Sequence, residues 1–306
     1  MTYRGWDHHK SEGTNMIDFE CIGDLRQNLA EGPVWCTREH ALYWVDIRKP
    51  AAHRYDTTKR DVTTWAMPGL VGSLAIRDKG GVLVALQGRL AVLDPGSGKV
   101  EPLVSFEPDL PESRCNDGKC DRRGRFWIGT MNNLKRGDAS GALYRFDPKH
   151  RLSRMIDGVE IPNSLAWSPD DRTMYFADTF RRQIYAYDFD VESGELGTRR
   201  IFAEFAEGGG SPDGSTVDAD GFLWTAIYRG AALHRYAPDG RLDRVVPLPM
   251  SQPTSCAFGG DALDVLYVTS ASQNMTPETL AREPYAGAII AIDVRTRGIA
   301  EPRFAG

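Results

Sequence analysis

The sequence predicts an all-β fold, a six-bladed β-propeller with four-stranded blades, and three observations carry that expectation. A short strand pattern recurs six times, turn signals separate the copies, and no stretch reads as a convincing amphipathic helix.

The recurring strand is rich in β-branched and aromatic residues: LYWVDI from Leu42, VLVALQ from Val82, RFWIGT from Arg125, MYFADT from Met174, FLWTAI from Phe222 and VLYVTS from Val265. A second apolar strand follows each copy. It closes on Asp56, Asp94, Asp147, Asp188 and Asp293, with Ala237 in the one exception. A third strand precedes each copy, and its first residues align as EGPVW (Glu31), GSLAI (Gly72), NDGKC (Asn116), NSLAW (Asn163), DGSTV (Asp213) and TSCAF (Thr254). A more polar strand, such as VTTWAM, LSRMI or RVVPL, completes the unit. Four alternating strands repeated six times describe sheets stacked radially, each burying its faces against its neighbours. A β-sandwich would not need one template six times over and ranks behind. The last unit is short of a strand while IDFECIGDLRQN precedes the first, so pairing of N-terminal and C-terminal strands is expected to close the ring.

Residues 1–15 read as a flexible polar arm and 16–306 as a single propeller domain. No run approaches the ~18 consecutive apolar residues of a membrane helix, so no membrane partner is expected. The chain has 37 basic and 42 acidic residues, a net charge of -5 without long runs of either sign, which argues against a nucleic-acid partner. The opening MTYRGWDHHKSEGTNM lacks the apolar core of a secretory signal, and Cys21, Cys36, Cys115, Cys120 and Cys256 form no CxxC pair. Both features point to a reducing, cytoplasmic setting. The oligomeric state is open.

In a propeller the innermost strand of each blade lines the axis, so Glu31, Gly72, Asn116, Asn163, Asp213 and Thr254 are expected to form a ring there. Two carboxylates in a narrow channel repel each other, and a bound cation relieves that repulsion most simply. Glu31 and Asp213 balance a divalent ion, and the neutral oxygen of Asn163 adds a ligand without charge. Positions left open for water or substrate mark a catalytic rather than a structural site. Oxygen ligands leave calcium, magnesium, manganese, iron(II) and zinc all possible.

At these residues the chain resembles the senescence marker protein, gluconolactonase and luciferin-regenerating enzyme family. The resemblance runs through LAEGPVW at Leu29, SRCNDGKCDRRGRFWIGTM at Ser113, IPNSLAWSPDDRTMYFADT at Ile161 and SPDGSTVDADGFLWTA at Ser211. It implies a six-bladed propeller, Glu31, Asn163 and Asp213 as metal ligands, Arg114 and Asn116 as substrate-binding residues, and Asp213 as general base. The implied reaction is metal-dependent hydrolysis of an aldonolactone, with a small sugar lactone as the partner. After GTM, where relatives carry acidic residues that contact sugar hydroxyls, this chain reads Asn132, Asn133, Leu134. Asn133 is taken as the substrate contact there, and loss of a carboxylate beside Arg114 makes the pocket more positive, which suits a substrate with an extra anionic group. Asp117 and Gly118 read as a turn after Asn116, and Lys119 as solvated. The alternatives are a phosphotriesterase or arylesterase of the related metal propellers, and a calcium-binding propeller without turnover.

Overall fold

A computed structural model describes residues 17–306; the expected N-terminal arm lies outside them. The described residues make six four-stranded sheets, and in the first five the strands pair in chain order. The innermost strands are Ala30–Cys36, Val71–Ile76, Ser113–Cys120, Pro162–Trp167, Ser211–Val217 and Pro253–Gly259, one for each of blades one to six. Each packs against the innermost strands of both neighbouring blades, which closes a ring. The sixth blade takes its outermost strand from the other end of the chain. Phe19–Cys21 runs antiparallel to Ile290–Ile292, with Phe19 opposite Ile292 and Cys21 opposite Ile290. The expected closure is therefore present.

Burial follows position in the blade. Innermost strands are buried along almost their whole length, polar residues included, whereas the outermost strand of blade one, Asp61–Ala66, is largely exposed. The core lies between blades, with Trp44, Trp127 and Trp224 of the second strands fully buried. In blades three and five an aspartate ends the innermost strand and holds that tryptophan. Asp121 Oδ2 accepts from Trp127 Nε1 at 2.8 Å and Arg125 Nε at 2.6 Å. Asp218 Oδ2 accepts from Trp224 Nε1 at 2.9 Å and Arg235 Nη2 at 2.7 Å. The spacing in DRRGRFW and DADGFLW thus couples a tight turn to a buried tryptophan, with the arginine supplied within the motif in blade three and by the third strand in blade five.

The recurrent aspartates after the third strand also have a local cause. Asp56 Oδ1 accepts from the backbone of Thr58 and Lys59, both at 3.0 Å, and Asp147 Oδ1 accepts from that of Lys149 at 2.8 Å, so each acid folds the turn that follows it. In blade four the turn is made by Asp190, which accepts from Glu192, and not by Asp188, which pairs with Arg200. The third strand there runs on to Asp190, two residues beyond the position that the repeat suggests.

One short helix, Pro277–Arg282, lies between the second and third strands of blade six, capped by the Thr276 side chain. It buries no residue and is too short to show a periodic apolar face. Among the described residues no helix is long and apolar enough to cross a membrane. All five cysteines are free thiols.

After blade six the chain crosses the end of the axis where the innermost strands finish. Ala219 N donates to Arg297 O, Glu301 pairs with Lys119, and Phe304 N donates to Ile76 O at 2.9 Å. Phe304 is buried and stacked on Phe146 at 5.2 Å. The opposite end, where these strands begin, remains as the mouth.

Asp218→Ala leaves Arg235 and the Trp224 indole N–H without their buried acceptor. Urea denaturation is expected to show a loss of about 3–5 kcal/mol, the range for breaking a buried ion pair from one side, while the exposed pair Lys99–Glu101, broken as a control, changes stability by less than about 1 kcal/mol.

Candidate active site at the propeller axis

Every innermost strand carries a register shift against the second strand of its blade. The irregularities fall at Glu31/Val34, Val71/Ser73, Cys115/Gly118, Asn163/Ala166, Pro212/Ser215 and Pro253/Ser255. Such bulges bend a strand and re-aim its side chains. Glu31, Asn116, Asn163 and Asp213 all sit at or inside these bulges, and all are buried.

Two ring positions serve packing instead. A Cβ on Gly72 would stand 2.4 Å from the Cys115 carbonyl carbon, so glycine there permits the close approach of blades two and three. Thr254 Oγ1 donates to Ala30 O at 2.5 Å and ties blade six to blade one.

The remaining polar groups form one connected set. Arg114 Nη1 donates to Cys115 O at 2.9 Å and to Asn116 Oδ1 at 2.7 Å. Asn116 Nδ2 donates to Pro162 O and to Asn163 Oδ1, both at 2.9 Å. Asn163 Nδ2 donates to Thr179 Oγ1 at 2.7 Å, and Thr179 Oγ1 donates to Pro212 O at 2.7 Å, beside Asp213. Ser164 Oγ donates to the Asp213 carbonyl. Blades three, four and five are thereby joined around the axis. Arg114 Nε and Asp213 Oδ1 remain buried without a partner, one donor and one acceptor.

The electrostatics reflect that shortage of partners. Burial, then the charge of Asp117, pushes the Glu31 carboxyl up to about 8, against the backbone N–H of Gly32 and the charge of Arg114. Burial and the charges of Glu31 and Asp117 push Asp213 well above the ordinary carboxylate range. Asp117 is raised mainly by burial, although Lys119 and the Leu165 N–H at 3.1 Å favour its ionised form. Burial brings Arg114 down to about 10, and the like charge of Arg48 acts in the same direction.

Two readings of the sequence are corrected here. Asp117 does more than complete a turn, because its side chain is a third buried acid on the axis. Lys119 is not solvated: its Nζ donates to Ser215 O at 2.8 Å and to Glu301 at 3.0 Å. The C-terminal segment that carries Glu301 covers it, which no local pattern announces. Asn133 lies at the mouth, where its Oδ1 accepts from Arg48 Nη1 at 2.9 Å. Sequence reasoning missed Arg48, which stands outside every motif.

The donors around Asp213 are all oxygens. Among the described residues no group of three or more His, Cys, Asp and Glu side chains is arranged to hold a metal, so a cation site here needs the Asn163 amide oxygen alongside Glu31 and Asp213. The orphaned Asp213 Oδ1 and the two raised carboxyls fit a missing positive charge.

The fold and this axis define a class: a six-bladed propeller with a cluster of buried acidic side chains on its axis. The chain belongs to the SMP-30/gluconolactonase/LRE-like family, whose signature matches residues 29–272. It is 40% identical over 288 residues to a 6-deoxy-6-sulfogluconolactonase of Pseudomonas putida, covering 94% of this chain and 98% of the relative. It is 39% identical to an L-arabinolactonase of Azospirillum brasilense, over 93% and 95% of the two chains. The crystal structure of a calcium-binding protein, regucalcin, from Agrobacterium tumefaciens superposes with a TM-score of 0.91 at 28% identity, covering 95% of this chain and 98% of that one.

A raised carboxyl stabilises the folded state below its unfolded pKa, and that stability is lost as pH rises to the folded value. The chelated protein is therefore expected to lose thermal stability between pH 4.5 and about 8, the window of Glu31. Asp213→Asn should raise the melting temperature of the chelated protein near pH 7.5; a melting temperature that rises with pH in wild type would contradict this assignment.

Proposed function

We propose that this chain is a sugar lactonase that holds one divalent cation with Glu31, Asn163 and Asp213 and uses Asp213 as general base. The observation that carries the reading is the buried, unpartnered Asp213 Oδ1 in a pocket that also holds an unpartnered Arg114 Nε. Buried polar groups are normally bonded, and these two unpartnered atoms belong to charged side chains of the connected polar set at the axis, which supports a ligand there. The lactonases among the relatives, at about 40% identity over nearly the whole chain, support a lactone as that ligand.

When bound, the cation supplies Lewis-acid polarisation of the lactone carbonyl and a more acidic water. The protein does the rest. Asp213 is positioned through its backbone, which Ser164 and Thr179 hold from blade four, and its free oxygen accepts the proton of the attacking water. Glu31 and Asp213 are both ionised only with positive charge beside them, which couples cation binding to the base being ready. Arg114 is fixed by Cys115 O and Asn116, and its spare N–H faces the oxygen charge that develops on attack. Ring opening leaves a carboxylate and a hydroxyl on one product, which then leaves through the mouth.

Asp213→Asn is expected to reduce kcat for an aldonolactone by about 10²–10⁴-fold, the range for losing a general base, in a protein that keeps its far-ultraviolet circular dichroism. A pH-stat assay of wild type after chelation should show hydrolysis falling to background and returning on addition of divalent salt. Retained activity in the Asn variant, or in wild type kept free of metal, would refute the mechanism.

A further inference from the structure

We propose that the lactone carries an anionic substituent remote from its carbonyl, and that Arg48, oriented by Asn133 at the mouth of the channel, receives it. The inference rests on the hydrolytic reading above and adds the substrate's chemical class.

The mouth is built by the loops between second and third strands. Register places these loops at the end where the innermost strands begin: Ala30 lies opposite Asp46, Ser113 opposite Asn132 and Ser211 opposite Tyr228. Segments 47–50, 133–140 and 229–231 therefore rim the pocket entrance. They bring Arg48, Arg136 and Arg229, all exposed, and among the described residues none of the three has a carboxylate partner. Arg229 instead lies over the Tyr228 ring at 5.7 Å. The chain as a whole is acidic, with a net charge of -5, so a rim of unpaired guanidinium groups is a local reversal of sign. A concave site edged by one sign of charge draws in the opposite ion.

Arg48 is the best placed of the three. Asn133 accepts one of its N–H groups through a neutral oxygen, which fixes the guanidinium without cancelling its charge. A guanidinium has five N–H donors, so others remain for a ligand. Its field also reaches Arg114, which puts the two cations beside the same volume, one buried and one at the entrance. The carboxylates of Glu112 and Asp138 both accept from Asn132 Nδ2, at 3.5 and 3.0 Å. Sugar hydroxyls do not require a second cation at the entrance. A sulfonate, phosphate or carboxylate does, and its paired oxygens match the guanidinium fork.

The test compares kcat/KM of the metal-loaded enzyme for gluconolactone with that for 6-phosphogluconolactone and 6-deoxy-6-sulfogluconolactone, which separates phosphate from sulfonate. Wild type is expected to prefer one of the anionic lactones, with a KM that rises with ionic strength. Arg48→Gln should lower the anionic-to-neutral ratio by about 10- to 100-fold, the loss expected for a charged hydrogen bond, mainly through KM. Arg48→Lys should keep part of the preference, and circular dichroism checks that both variants are folded. Equal kcat/KM for neutral and anionic lactones in wild type, or a ratio untouched in Arg48→Gln, overturns this inference and leaves lactone hydrolysis standing. Failure to open any lactone overturns the hydrolytic reading and this inference with it.

Discussion

The central constraint on this molecule is the convergence of six strands on one axis. Neighbouring innermost strands approach so closely that a Cβ at Gly72 would strike the Cys115 carbonyl and one at Gly214 would stand 2.1 Å from Ser255 Oγ. Strands that near the axis bury whatever side chains they point inward. Glu31, Asp117 and Asp213 are consequently held out of water within range of one another's charge. Ionised carboxylates in that position are unfavourable by several kcal/mol unless paired, and the counter-charges within the chain are Arg114, itself buried, and Lys119, which acts on Asp117.

The two ends of the axis answer that problem differently. At the covered end Lys119 meets Glu301 at 3.0 Å and donates to Ser215 O, so its charge is matched within the chain. At the open end Asp213 Oδ1 and Arg114 Nε have no partner. A satisfied network rigidifies, whereas an unsatisfied one is a standing demand for a ligand. The tail that crosses from Arg297 to Phe304 thus separates a structural end from a chemical one.

Much of the fold was legible because a repeat repeats its patterning. Six strands like LYWVDI, the preceding turns and the missing strand of the last unit were enough to place the blades and their closure. The ring position was legible too, as an alignment of Glu31, Asn163 and Asp213. The bulges were not, since a register shift leaves the alternation of single strands nearly unchanged while turning particular side chains toward the axis. Asp117 was hidden for that reason: one residue beyond the ring, it should have pointed away, and the Cys115/Gly118 irregularity turns it in. Lys119 and Arg48 depend on partners 182 and 85 residues distant, a kind of contact no local window contains.

These long-range contacts also decide how the site keeps its shape. Asp213 belongs to blade five, yet the groups that fix its backbone, Ser164 and Thr179, belong to blade four, and the amide beside it, Asn163, is held by Asn116 of blade three. No single blade could present this pocket alone. Its precision comes from the spacing between blades, which in turn depends on the interblade core of Trp127, Leu165, Trp167 and Phe189. The apolar packing and the polar axis are therefore one mechanical system. The core supplies stability enough to hold three acids in a dry channel, and the channel uses that stability to keep an acceptor and a donor open for a substrate.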